Sequence, residues 1–124
     1  MNECFFCKVI KNNEFEIENE LAIARFDNFP VNKGHMLIIP KRHIKDWWET
    51  TEKEKNAIFQ LVNESKKIID QKYNPDGYNI GMNLGEAAGQ SIMHLHVHLI
   101  PRYIGDVKNP RGGVRGVIPE KQNY

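Results

Sequence analysis

Between Ser91 and Pro101 polar and apolar positions alternate. His94, His96 and His98 fall on one parity and Leu95, Val97 and Leu99 on the other. A period of two is that of a strand, whose successive side chains point to opposite faces. The pattern predicts a strand with three imidazoles on one face, about 6.6 Å apart along the chain, and an aliphatic reverse face for the core. A merely solvated strand face would use Thr, Lys or Glu, so this face reads as functional. A second periodicity, of 3.6, runs from Thr51 to Tyr73. Ile58, Leu61, Val62, Ser65, Ile68 and Ile69 share one helical stripe, and Thr51-x-x-Glu54 has the form of a capping box. Asn74-Pro75-Asp76-Gly77 ends that helix.

The remaining strands are shorter. Glu20 to Asp27 contains one with blurred alternation. His35 to Pro40 is an apolar run stopped by proline, and Tyr78 to Leu84 is another candidate. Lys11-Asn12-Asn13, Asn28-Phe29-Pro30 and Asn32-Lys33-Gly34 read as turns. Glycines and prolines make the tail from Arg102 onward irregular, and no repeat or low-complexity linker interrupts the chain. Strands around one long helix give an α+β fold with an antiparallel sheet, in a single domain spanning 1–124.

Two chemistries suit three imidazoles on a strand: metal ligation, or covalent catalysis by one of them. The loop Gly85 to Ser91 feeds directly into them. Its glycines suit a backbone anion nest, and Gln90 and Ser91 add donors. Cys4-Phe-Phe-Cys7 reads as a metal half-site or a redox pair.

The motif His94-Leu-His96-Val-His98-Leu-Ile, preceded by Gly89-Gln90-Ser91, resembles the signature of the histidine triad family of nucleotide hydrolases and transferases. The resemblance extends to Cys4-Phe-Phe-Cys7, Asp27, Gly34-His35-Met-Leu-Ile-Ile-Pro-Lys-Arg-His43, the long helix and Asn83. His98 to Asp106 is similar to the fragile-histidine-triad, dinucleoside-polyphosphate-hydrolysing branch. Cys4-x-x-Cys7 and Asn83 are more similar to the phosphoramidase branch.

The resemblance implies a sheet packed with one long and one short helix, a homodimer, and a purine nucleotide substrate. It implies that His96 attacks the α-phosphate of a nucleoside phosphoramidate or dinucleoside polyphosphate and that water hydrolyses the nucleotidyl-histidine. His98 would bind the phosphate. Ser91 and Gln90, with Gly89, would meet the leaving-group side, and Asn83 the phosphate or sugar. Asp27 would take the ribose hydroxyls, with turn formation as its other reading, and His35 would support the site from behind. Phe5, Ile10, Ile23 and Phe26 are candidates to sandwich the base. Cys4, Cys7, His43 and His94 would hold a structural zinc, with no metal required for the chemistry. His94 would then brace the catalytic strand.

Two rival functions remain at this level. One is a zinc hydrolase ligating metal through His94, His96 and His98, for which no Asp or Glu stands beside the strand as general base. The other is a nucleotide-binding signalling protein with vestigial activity.

Composition changes this picture little. The chain has 124 residues, 40% of them hydrophobic, which suffices for a core. A net charge of +1 argues against a nucleic-acid partner or a polybasic membrane binder. With neither a signal peptide nor an apolar run of membrane length, a cytoplasmic protein is expected.

Overall fold

All five residues of Met36–Pro40 are buried, because this strand lies inside the sheet with a helix on either face. In the computed structural model, which describes residues 4–124, it is β3. The others are β1 (Ile17–Glu18), β2 (Ala22–Phe26), β4 (Gly77–Gly81) and β5 (Val97–Arg102). Together they form an antiparallel sheet of order β1-β2-β3-β5-β4. Two α-helices, α1 (Phe5–Lys11) and α2 (Glu52–Tyr73), complete the α+β architecture.

The period of two divides the sheet cleanly. Met36 and Ile38 of β3, Ala22 and Ala24 of β2, and Leu95, Val97 and Leu99 pack with Ile58, Leu61 and Ile69 of α2. Leu37, Ile39 and Ile23 point the other way, against Phe6 and Val9 of α1. The long helix is therefore a core-packing element on one face. The short helix and the imidazoles share the other.

Helix α2 starts where the capping box predicts. Thr51 Oγ1 accepts from the Glu54 amide at 3.1 Å, and Glu54 Oε1 accepts from the Thr51 amide at 2.8 Å. Glu54 is also gripped by Arg42, whose Nε and Nη2 lie 3.0 and 2.8 Å from its carboxylate. That grip holds the Glu54 carboxyl down at about 2. At the other end Asn74 adopts the left-handed conformation (φ 51°) that closes the helix.

The histidine strand starts later than its alternation predicts. Ladder pairing begins at Ile38 with Val97, so His94 and His96 precede β5. Extending the ladder would bring Leu95 opposite Pro40, which has no N–H to give. Leu95 instead donates its N–H to the Ile44 carbonyl at 2.7 Å. The alternation of sides persists regardless: Leu95 is in the α2 core, while the rings of His94 and His96 lie against Phe6 of α1.

Gly34 has φ +90° and sits so close to α2 that a Cβ there would fall 2.8 Å from a Tyr73 ring carbon. Only glycine makes this turn without displacing the ring, and the turn delivers His35 into the site. The irregular tail closes on itself, with Asn109 donating to Asn123 at 3.0 Å.

Candidate active site and metal centre

In each histidine of the triad a hydrogen bond decides which ring nitrogen is free. His96 Nδ1 lies 2.9 Å from the backbone carbonyl of His94. A carbonyl only accepts, so Nδ1 is the protonated nitrogen and Nε2 keeps its lone pair. His96 Nε2 is thus the ring nitrogen with a free lone pair. The residue is 8% exposed and lines a cavity of about 410 Å³.

His98, whose ring centroid is 5.1 Å from that of His96, is set differently. The Val31 amide donates to His35 Nδ1 at 3.1 Å, which leaves the His35 proton on Nε2. That Nε2 lies 2.9 Å from His98 Nδ1, which must accept. His98 is therefore protonated on Nε2. One backbone amide, relayed through His35, makes His96 and His98 complementary: one offers a lone pair and the other an N–H. Burial, followed by the neighbouring His96 and His35, pulls His98 down to about 4. Burial lowers His35 too, partly opposed by Asp27. At neutral pH His98 is a neutral donor.

Asp27 lines the same cavity at the end of β2. Its Oδ1 accepts from the Phe29 amide at 3.0 Å, and its Oδ2 lies 3.5 Å from His35 Nε2. Asp27 shapes the turn and still presents a carboxylate to the cavity. Asn83 and Ser91 line the cavity from the other side.

Gly89 and Gln90 stand elsewhere. Gln90 is 5% exposed, and its amide is spent on backbone groups. Its Oε1 accepts from the Gly85 amide, and its Nε2 donates to the carbonyls of Lys45 and Ile92. The amides of Ala88, Gly89 and Gln90 bond to Gly85 and Glu86 carbonyls, so they form no anion nest. The loop leads into Ser91, which lines the cavity.

Of the base-sandwich candidates, Phe5 lines the cavity. Ile23 is buried in the core beside α1, Ile10 packs against that core, and Phe26 packs on the α2 side. Arg25, Phe29 and Leu37 line the cavity without having been singled out in the sequence. Strand parity would have found Leu37, two residues from His35.

His94 turns away from this cavity. Its Nε2 donates to the Pro40 carbonyl at 2.8 Å, freeing Nδ1 as an acceptor. That Nδ1 lies 3.4 Å from Cys4 Sγ, 3.6 Å from Cys7 Sγ and 3.2 Å from His43 Nδ1. Cys7 Sγ is 3.3 Å from His43 Nδ1. A tetrahedral zinc with ordinary Zn–N and Zn–S lengths needs ligand–ligand edges of about 3.3–3.8 Å. These four edges, 3.2–3.6 Å, are close to those of such a tetrahedron, all four atoms lie within 4.8 Å of one another, and the Pro40 carbonyl supplies the outer-shell acceptor that metal-ligating histidines use.

The HIT domain profile matches residues 9–105. The chain belongs to the HIT family. Protein hit of Bacillus subtilis is 40% identical over 103 residues, covering 81% of this chain and 71% of that protein. An AP-4-A phosphorylase of Mycobacterium tuberculosis is 34% identical over 88 residues, 70% of this chain but 45% of its own length. Adenylylsulfatase HINT3 of Arabidopsis thaliana is 36% identical over 104 residues, 82% of this chain and 53% of its own. Among solved structures, a HIT family protein from Bacillus anthracis superposes with TM-score 0.78 at 39% identity, covering 85% of this chain and 77% of that one. A Zn-bound histidine triad family protein from Mycobacterium smegmatis superposes with TM-score 0.76 at 30% identity, covering 84% and 78%. No helix among the described residues is long and apolar enough to cross a membrane.

Proposed function

We propose that this HIT protein is a nucleotide hydrolase or nucleotidyl transferase working through a nucleotidyl-histidine. The observation that carries the reading is the 2.9 Å contact from His96 Nδ1 to the His94 carbonyl, which leaves Nε2 as a free base facing the cavity. In the first step the Nε2 lone pair forms a bond to the α-phosphorus, and the bond from phosphorus to the leaving group breaks. The leaving group departs with the electron pair and takes up a proton. In the second step water attacks phosphorus, the N–P bond breaks, His96 regains its lone pair, and the proton that water releases to solvent replaces the one the leaving group took from it. His98 Nε2–H and Ser91 donate to the phosphoryl oxygens as charge develops there. Asp27 accepts from the ribose hydroxyls and Asn83 bonds to the phosphate or sugar.

The substrate class is nucleoside phosphoramidates or dinucleoside polyphosphates. The names of two relatives, an AP-4-A phosphorylase and an adenylylsulfatase, support an adenylyl or similar nucleotidyl group. Cys4, Cys7, His43 and His94 hold a structural zinc that ties α1 to the segment before β5. The reading includes one cytoplasmic domain over 1–124 that pairs as a homodimer, for which the outer edge of β4 offers an unpartnered strand among the described residues. The zinc-hydrolase alternative needs three convergent imidazoles. Here His94 groups with the cysteines and His98 with Asp27 and His35, which supports the covalent path instead.

The test is an acid–base partition of the trapped enzyme. Radiolabelled nucleoside phosphoramidate quenched during turnover leaves a label on His96 that survives base and is released by acid. His96→Asn lowers kcat by roughly three orders of magnitude or more while retaining nucleotide binding. A label on His94 or His98, or near-normal turnover by His96→Asn, overturns the reading.

A further inference from the structure

The register of the sheet sets a ruler across the cavity. Arg25 on β2 lies opposite Leu37 on β3, and Leu37 lies opposite His98 on β5. Directly opposed residues project from the same face, and all three line the cavity. Two strand spacings separate Arg25 from His98, about 9.6 Å. That is the span from the phosphate of a nucleotide to the far edge of its base. With the phosphate at His98, Leu37 underlies the sugar and base, and Arg25 stands at the base.

Arg25 is held in place there. Its Nε donates to the Phe26 carbonyl at 3.3 Å and its Nη2 to Asn28 Oδ1 at 3.0 Å, while the guanidinium carbon lies 5.7 Å from the centre of the Phe5 ring. The third nitrogen, Nη1, is buried with no hydrogen-bond partner among the described residues. A buried donor without an acceptor is unfavourable, and a ligand that brings one relieves it. Arg25 is also the one arginine or lysine among the residues lining the cavity.

We infer that Arg25 reads the nucleobase and selects a 6-oxopurine, guanine or hypoxanthine, over adenine. The inference rests on the nucleotide-binding reading of the cavity. Guanine and hypoxanthine present two adjacent acceptors, O6 and N7, which suit a guanidinium. Adenine presents N7 beside an N6 amino donor, which sets donor against donor. Asn28 accepts one of the two Nη2 hydrogens and so orients the guanidinium, leaving the second Nη2 hydrogen and those of Nη1 to meet O6 and N7. Arg25 is a specificity residue and takes no part in bond making.

The experiment is calorimetric binding of nucleoside monophosphates, which needs no turnover. GMP and IMP bind the wild-type protein about tenfold tighter than AMP, as expected for one well-placed guanidinium contact. With 7-deaza-GMP, which lacks the N7 acceptor, most of that preference disappears, and this arm needs no variant. Arg25→Leu brings GMP and AMP within about twofold of each other while ribose 5-phosphate binds as before. Equal wild-type affinities for GMP and AMP, full retention of affinity by 7-deaza-GMP, or a preference that survives Arg25→Leu each overturns the role of Arg25 and leaves the cavity's nucleotide reading standing. Absence of binding by every nucleotide overturns both.

Discussion

His35 gives its Nε2 proton to Nδ1 of His98 across 2.9 Å. The direction of that bond is set one residue further back, by the Val31 amide on His35 Nδ1. His35→Gln retains an N–H donor for His98. His35→Glu supplies an acceptor and should move the His98 proton to Nδ1, leaving a lone pair facing the phosphate. Nitrogen-15 spectra of His98 should show Nε2 protonated in the wild type and in His35→Gln, and Nδ1 protonated in His35→Glu. The Glu variant should also lose about 10²–10³ in kcat, the usual cost of one transition-state donor. A wild-type His98 protonated on Nδ1 would refute the assignment.

The depressed pKa of His98 predicts an acid-sensitive fold. Folding lowers it from 6.5 to about 4, so between those values the unfolded chain binds a proton that the folded chain excludes. The contribution to stability is fully present above 6.5, declines as pH falls, and is exhausted near 4. Denaturant titrations from pH 8 to 4 should show the slope with pH reduced in His98→Asn. An unchanged slope would place the acid sensitivity elsewhere.

A zinc held by Cys4, Cys7, His43 and His94 would be structural on this geometry. Cys4→Ser combined with Cys7→Ser should abolish stoichiometric zinc and lower Tm by at least about 5 °C, the shift that about 1 kcal/mol produces in a chain of this size. Turnover should persist in the folded fraction, because His96 and His98 face a separate cavity. Elemental analysis finding no zinc in protein purified without chelator would remove the metal from the account.

Asp27 presents its carboxylate at the cavity wall, so Asp27→Ala should raise KM for ribonucleotides. One or two lost hydrogen bonds, each about 1.5–3 kcal/mol to a charged acceptor, set the scale. The mutant should handle ribo and 2′-deoxyribo substrates alike. Discrimination as strong as in the wild type would reassign Asp27 to the turn alone, where it already accepts from Phe29.

The alternation of His94, His96 and His98 with Leu95, Val97 and Leu99 determined which side chains face the core, because parity survives even where ladder pairing fails. The 3.6 period and capping box likewise determined α2 to within a residue at its start. Residue type alone marked Cys4, Cys7 and the histidines as chemistry, and the family resemblance assigned roles to them. What each nitrogen does was decided only by tertiary contacts: Pro40 turns His94 toward the cysteines, the His94 carbonyl frees Nε2 of His96, and Val31 acts on His98 through His35. Gln90 shows the same limit from the other side, since its donors suited a phosphate in the sequence and were consumed by Lys45 and Ile92 in the fold. Arg25 carried no local signal at all. Its place beside the cavity follows from the register of β2 on β3 and of β3 on β5, and register is a property of pairing between distant segments. Period is local and legible along the chain, whereas the partner of a polar atom is chosen by whichever distant backbone group the fold brings within 3 Å of it.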